Sequence, residues 1–252
     1  MKTVVISRSE QLLENGGRRQ FLKVLGMGGA IVLMPSMLAS CSNDDNNGGG
    51  DGGVTGPNSG KAVVIDFAKG DTAVLQFAYA LEQLEADFYT KVVANFSGSD
   101  IPASEQTILG DIKNHEVIHR EAFKVLLGTA NDFTLTPTYG SLNFKSRTAV
   151  LAASRDFEDL GVSAYNGAAQ YLADVNNLGL AGKIVSVEAR HASAIRDLIN
   201  PKRSGVAGFS PTPFDDVFSP GKVRAAAQNF IVEMVQFSNA PTTFVQGPNG
   251  NG

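Results

Sequence analysis

Apolar residues recur every three or four positions in four stretches of the chain, and this spacing is the period of an α-helix. The first stretch follows Asp71, which is predicted to cap the helix. Its apolar positions are Val74, Leu75, Phe77, Ala78, Leu81, Leu84, Phe88 and Val92. The second is predicted to begin at a capping Ser104 and to end at Gly128. Its apolar positions are Ile108, Ile112, Ile118, Ala122, Val125 and Leu126.

Two more helices are predicted beyond a long connection that runs from Gly128 to Lys145. The third helix is expected from about Ser146 to Asp174 and the fourth from about Leu180 to Asn200, where Pro201 ends it. None of the four segments shows a sustained alternation of apolar and polar residues, so no strand is predicted inside them. Four helices with one long crossover between the second and the third predict an all-α, ferritin-like four-helix bundle.

The segments that flank the helices divide the 252-residue chain into four parts. These are a signal peptide at 1–40, a flexible tether at 41–66, the four-helix bundle at 67–200 and a C-terminal extension at 201–252. The tether has almost nothing apolar to bury, which is typical of a disordered linker. In the extension, a short helix from about Pro220 to Val235 is predicted to pack on the side or the end of the bundle.

The N-terminus carries the features of a bacterial export signal. Arg18 and Arg19 begin the sequence Arg-Arg-Gln-Phe-Leu-Lys, which resembles a twin-arginine signal. The apolar run that follows, Val24 to Leu38, is about 15 residues long, short of the roughly 20 that a transmembrane helix needs. The tetrapeptide Leu-Ala-Ser-Cys, which ends at Cys41, resembles a lipobox. We therefore expect export by the twin-arginine route and a lipid anchor on Cys41 in the bacterial cell envelope, in the periplasm or on the outer surface.

The composition excludes several classes of partner and of metal site. The net charge of -4 shows no basic excess, so no nucleic-acid partner is expected, and removal of residues 1–40 makes the remainder more acidic, at -7. Cys41 is the single cysteine, which excludes a disulfide framework and a cysteine-based zinc or iron–sulfur site. Because the chain has three histidines, any metal site must rely mainly on carboxylates.

Two Glu-x-x-His motifs carry the candidate chemistry. Glu116 and His119 lie on the second predicted helix, and Glu188 and His191 lie on the fourth. A spacing of three residues places the carboxylate and the imidazole on one helical face, so both can reach one metal ion. One glutamate from each of the other two helices completes the ligand set of dimetal carboxylate bundles. The predicted metal ligands are Glu82, Glu116, His119, Glu158, Glu188 and His191.

An internal repeat relates the first two helices to the last two. Glu82 and Tyr89 on the first helix align with Glu158 and Tyr165 on the third. Each tyrosine follows its glutamate by seven residues on the same face, and is predicted either to fill the core or to hold a ligand carboxylate by a hydrogen bond.

The repeat also separates two adjacent glutamates of the first helix. Glu85 aligns with Gly161, which favours Glu82 as the first-helix ligand and leaves Glu85, one turn along the same face, as the alternative. His115 falls off the ligand face and is predicted to lie on the surface or to support a ligand. The aromatic residues Phe77 and Phe123 are predicted to belong to the core.

The predicted donor set suits two iron or two manganese ions. Two cations held a few ångströms apart repel each other, and four carboxylates neutralise that charge while one imidazole per ion completes each site. Oxygen and imidazole ligands suit these metals better than metals that prefer thiolates. Buried carboxylates with no such partner would be costly.

These residues resemble the ferritin-like superfamily. The first-helix sequence Leu-Glu-x-Leu-Glu-x-x-Phe-Tyr is similar to the bacterial ferritin-like domain family that includes desiccation-related proteins, and the resemblance covers roughly residues 67–200. It implies a dinuclear metal bundle with the six ligands named above. It implies no single activity, because members include ferroxidases, manganese catalases, oxygenases and proteins without a known function.

Two functions follow as hypotheses. The first is an envelope redox enzyme that reacts with O2 or peroxide as a ferroxidase, an oxidase or a catalase. The second is a non-enzymatic, metal-stabilised bundle that binds a partner or protects the envelope under stress. Both are compatible with a homo-oligomer. A lipid-anchored chain argues against an iron-storage cage, because tethered subunits cannot easily close a soluble shell.

Overall fold

The computed structural model describes residues 62–201 and 208–245. The predicted signal peptide, Cys41 and nearly all of the predicted tether lie outside these residues, so export and lipidation stay predictions. None of the described helices combines the length and the apolar character that a bilayer crossing requires.

Four long helices form the bundle: α1 (Asp71–Ala94), α2 (Ala103–Leu127), α3 (Arg147–Ala168) and α4 (Val175–Ile199). α1 packs mainly on α2 and α3 mainly on α4, while smaller α1–α3 and α2–α4 contacts join the two pairs. The long connection between α2 and α3 is the predicted crossover. The predicted four-helix bundle with one long crossover is confirmed.

α1 is the central helix of the molecule, since all of its predicted apolar positions are buried. Phe77 of α1 and Phe123 of α2 are core residues, as predicted. Part of the cover over α1 is a small parallel sheet of β1 (Val63–Asp66) and β2 (Val235–Ser238), in which Val63 pairs with Val235. Neither strand is predicted by the apolar pattern, because four residues are too few to show a sustained alternation.

The sheet changes two of the predicted boundaries. β1 lies inside the segment assigned to the flexible tether, and the buried side chain of Ile65 fixes it to the core. In the extension, α5 (Pro220–Ala227) is shorter than predicted. A 3-10 turn at Gln228–Phe230 follows it and leads the chain into β2, so the predicted helix to Val235 is wrong in its second half.

The helix ends also differ from their predictions. The residue that precedes α1 is Gly70, whose φ is 58°, so Asp71 is the first residue of the helix and not its cap. Asp71 instead accepts hydrogen bonds from the backbone amides of Ala173 and Asp174, at 2.7 and 2.9 Å, and so ties α1 to the α3–α4 connection. Ser104 does not cap α2, which begins one residue earlier, after Pro102.

The break between α3 and α4 comes earlier than predicted. α3 ends at Ala168, a 3-10 turn continues to Tyr171, and α4 begins at Val175. Asp174, predicted as the end of α3, is the cap of α4, since its side chain accepts from the amide of Asn176 at 2.7 Å. Apolar residues continue through the 3-10 turn, so their periodicity hides the break.

α2 buries a different face from the one predicted. Of the predicted apolar positions, Ile112 is buried and Ile108 is half-buried, whereas four are exposed: Ile118, Ala122, Val125 and Leu126. The buried positions of α2 are Leu109, Ile112, Glu116, Phe123 and Leu127. α2 therefore carries two apolar stripes. The stripe with Ile118 and Val125 faces outward, and the stripe with Glu116 and Phe123 faces the core.

Candidate metal centre

One residue from α1, one from α3 and a Glu-x-x-His pair from each of α2 and α4 meet in the middle of the bundle. Their donor atoms form two overlapping groups, and within each group all the donor atoms lie within 4.8 Å of one another. The His119 half contains Glu82, Glu116, His119 and Glu188. The His191 half contains Glu116, Glu158, Glu188 and His191. The structure therefore brings all six predicted ligands together.

Glu116 and Glu188 belong to both halves because each spans the two histidines. Glu116 places Oε1 at 2.9 Å from Nδ1 of His191 and Oε2 at 3.6 Å from Nδ1 of His119. Glu188 places Oε1 at 2.8 Å from Nδ1 of His119 and Oε2 at 3.2 Å from Nδ1 of His191. Each of these two carboxylates would therefore be able to reach a metal ion in either half.

Glu82 and Glu158 each serve one half. Oε2 of Glu82 lies 3.6 Å from Nδ1 of His119, and Oε2 of Glu158 lies 3.4 Å from Nδ1 of His191. The two outer carboxylates come from α1 and α3, which are related by the sequence repeat. The centre therefore has an approximate twofold arrangement in which the pair α1–α2 corresponds to the pair α3–α4.

The two repeat-related tyrosines hold these outer carboxylates, and they do so across the helix pair. Tyr89 of α1 donates to Oε1 of Glu158 on α3 at 2.5 Å. Tyr165 of α3 donates to Oε1 of Glu82 on α1. Each tyrosine thus occupies the outer oxygen of a glutamate and leaves Oε2 to face the centre.

Six inward atoms of this cluster lie close to one another but form no well-directed hydrogen bond with any described residue. They are Glu82 Oε2, both carboxylate oxygens of Glu116, His119 Nδ1, Glu158 Oε2 and Glu188 Oε1. The four glutamates are fully buried, where an ionised carboxylate without a partner is strongly unfavourable. Four carboxylates match the charge of two divalent cations, so the residues present fit a pair of metal ions.

The pKa values of the clustered glutamates and histidines also reflect the concentration of negative charge in this pocket. Burial raises the pKa of Glu82 to about 8 and that of Glu158 well above its usual range. Burial opposes a charge on His119, but the carboxylates of Glu116, Glu188 and Glu82 outweigh it and raise the pKa to about 12. Without a metal, protons must supply the positive charge that this pocket needs, and metal binding would therefore release protons.

Glu85 is buried close to this centre but is in neither group of donors. Its side chain points at Gly161 of α3, where an added Cβ would lie 2.9 Å from Oε1 of Glu85. Burial, together with the charges of the nearby glutamates, raises the pKa of Glu85 well above its usual range. Among the two first-helix candidates, the geometry thus favours Glu82.

His115 contacts the centre from the surface of α2. Its Nδ1 lies 2.9 Å from Nε2 of His191, and the two rings are nearly parallel. The sequence left open whether His115 lies on the surface or supports a ligand; its side chain does both, because it is exposed and bonded to His191. The one sequence signal for this contact is its spacing, because His115 lies four residues, or one helical turn, before His119 on α2.

One comparison with known proteins identifies a family for the helical bundle. The family profile described as "ferritin-like domain" matches residues 70–201, which is just over half of the chain and spans α1 to α4. A comparison with curated proteins gives no significant match. The chain belongs to the ferritin-like domain family.

Proposed function

We propose that this chain is an exported, lipid-anchored redox protein whose carboxylate–histidine centre holds two iron or two manganese ions and reacts with O2 or peroxide. The observation that carries the proposal is the pair of overlapping donor groups joined by Glu116 and Glu188. When bound, the metal pair would cycle between a reduced and an oxidised state, and would pass electrons to O2 or peroxide from Fe(II) (ferroxidase), from a reduced substrate (oxidase) or from a second peroxide molecule (catalase).

The chain's own residues have separate tasks in this proposal. Glu116 and Glu188 keep the two halves at a fixed separation, because each carboxylate reaches both histidines. Tyr89 and Tyr165 orient the outer glutamates and leave one oxygen of each free to bind. The mostly apolar core around them excludes water and so strengthens the electrostatic interactions inside the centre.

Metal analysis of the reconstituted full chain tests the binding part of the proposal. Loading with Fe(II) without oxygen, or with Mn(II), should give two ions per chain. Glu116→Gln should lower the affinity of both halves, whereas Glu82→Gln should weaken the His119 half alone. Glu121→Gln is the matched control, because Glu121 is an exposed glutamate of α2 whose described ion pairs are with Arg120 and Lys124. Fewer than one ion per wild-type chain would refute the metal centre.

A second function is favoured by the position of the centre. Its ligands come from all four helices and are buried in the core, so bound ions would cross-link the bundle and raise its stability. The metal-loaded wild type should consume O2 or peroxide if the protein is an enzyme. Two bound ions and a raised Tm without such consumption would instead identify a metal-stabilised stress-protective or partner-binding protein.

The cellular part of the proposal rests on the sequence, through the paired arginines and the lipobox-like residues that end at Cys41. Membrane fractionation of cells that express the full chain or its Cys41→Ser variant tests it. The wild type should be in the membrane fraction and the variant should not. An equal distribution of the two would refute the lipid anchor.

A further inference from the structure

His191 is held at both nitrogens of its ring. Nδ1 is hydrogen-bonded to Oε2 of Glu188 at 3.2 Å, while Nε2 lies 2.9 Å from Nδ1 of His115. The centroids of the two imidazole rings are 5.1 Å apart and their planes differ by 13°. Both the position and the plane of the His191 ring are therefore defined by contacts on either side.

The hydrogen bond between the two histidines has only one direction that suits a metal ligand. To bind a metal through Nδ1, the neutral His191 ring must carry its hydrogen on Nε2. That hydrogen is then donated to Nδ1 of His115, which accepts it. When both nitrogens of His191 are protonated, Nε2 still donates, so the same bond serves the chain with and without a metal.

The other half of the centre lacks this support. In the sequence repeat the counterpart of His115 is Val187 of α4, whose half-buried side chain cannot accept a hydrogen bond. Within the described residues no partner bonds to Nε2 of His119. The two halves, which share the same types of ligand, thus differ in how firmly their histidines are held.

We propose that His115 is a positioning residue that fixes the tautomer and the ring plane of His191 and thereby makes the His191 half of the centre bind metal more tightly than the His119 half. This inference rests on the proposed metal centre. It predicts that the two ions bind in two distinguishable steps. Loss of a partner that orients a ligating histidine typically lowers metal affinity about 10- to 100-fold.

Two substitutions of nearly equal shape separate the hydrogen bond from the packing. His115→Asn keeps an acceptor, because Oδ1 of asparagine can occupy the position of Nδ1 of histidine. His115→Leu has a similar branched shape and no acceptor. Asn114→Ala is the control for an exposed substitution in the same turn of α2.

A cobalt titration of the full chain, followed by visible absorption, measures the two steps. His115→Leu should weaken the tighter step about 10- to 100-fold and leave the other step largely unchanged, and the weakened step should be the one that Glu158→Gln also weakens. His115→Asn and Asn114→Ala should resemble the wild type. Equal behaviour of the Leu and Asn variants, or equal weakening of both steps, would overturn the inference.

A second readout needs no metal. The proton on Nε2 of His191 should give a downfield, slowly exchanging signal in the proton NMR spectrum of the metal-free wild type and of His115→Asn. The signal should be lost in His115→Leu. Retention of that signal in His115→Leu would overturn this inference alone. A wild type that binds no cobalt would overturn the proposed metal centre and the inference with it.

Discussion

Tyr165 offers a precise perturbation of the centre, because its hydroxyl is the donor that holds the outer oxygen of Glu82. Tyr165→Phe removes one oxygen atom and keeps the buried ring. A hydrogen bond to a charged group contributes about 1.5–3 kcal/mol, and each 1.4 kcal/mol corresponds to a tenfold change in affinity. The metal affinity of the His119 half should therefore fall about 10- to 100-fold.

The assay is a metal titration of the full chain with two comparison variants. Tyr89→Phe is the mirror variant, since Tyr89 holds Glu158, and should weaken the His191 half. Tyr79→Phe is the control: Tyr79 is a buried tyrosine of α1 that packs on Phe133, and the described residues offer its hydroxyl no hydrogen bond. It should leave both affinities unchanged.

Two results would refute this reasoning. If Tyr165→Phe and Tyr89→Phe weakened the same binding step, the crossed pairing of tyrosine and glutamate would not control the separate halves. If Tyr79→Phe reduced affinity as much as Tyr165→Phe, the loss would come from general disturbance of α1.

Two further predictions concern stability. Gly167→Ala should destabilise the fold by about 1–3 kcal/mol, because the new Cβ would lie 1.7 Å from the carbonyl oxygen of Phe218. Gly110→Ala has open space around the new Cβ and should stabilise the fold by up to about 1 kcal/mol. Chemical denaturation measures the free energy of unfolding of both variants, and equal effects would exclude the clash. Burial opposes the charge on Glu233, but hydrogen bonds from Thr136 lower its pKa. Because the folded-state pKa is depressed, the stabilisation is present above the usual glutamate pKa of about 4.3 and is lost as the pH falls through the lower, folded-state value. The Tm difference between wild type and Glu233→Gln should accordingly be largest near neutral pH and shrink in acid, and a constant difference would contradict it.

The cluster of four glutamates and two histidines was predictable because its signal is local and repeated. A glutamate and a histidine three residues apart share a helix face whatever surrounds the helix, as Glu116 and His119 show. The repeat then related Glu82 to Glu158 and placed a tyrosine seven residues after each. What the sequence could not give was the crossed bonding of the tyrosines, because it depends on how α1 packs against α3.

The face of α2 was not predictable from periodicity alone. Ile118 and Val125 lie at helical spacing on one side of α2 and are exposed, while Glu116 and Phe123 lie on the other side and are buried. A rule that places apolar residues inside and charged residues outside selects the wrong side here. The buried glutamate is a ligand candidate, so the chemistry of the centre reverses the ordinary preference for burial.

The positions where the repeat is broken are informative about the centre. Glu85 is matched by Gly161, and the two are in contact, so the missing side chain on α3 makes room for the extra carboxylate on α1. His115 is matched by Val187, and only the histidine can form a hydrogen bond to the ring of the opposite Glu-x-x-His motif. Metal binding alone would be satisfied by a symmetric arrangement. Each break instead places a polar group on one side of the centre without an equivalent on the other. The two halves therefore differ chemically, and the proposed pair of ions is expected to bind to them with different affinities.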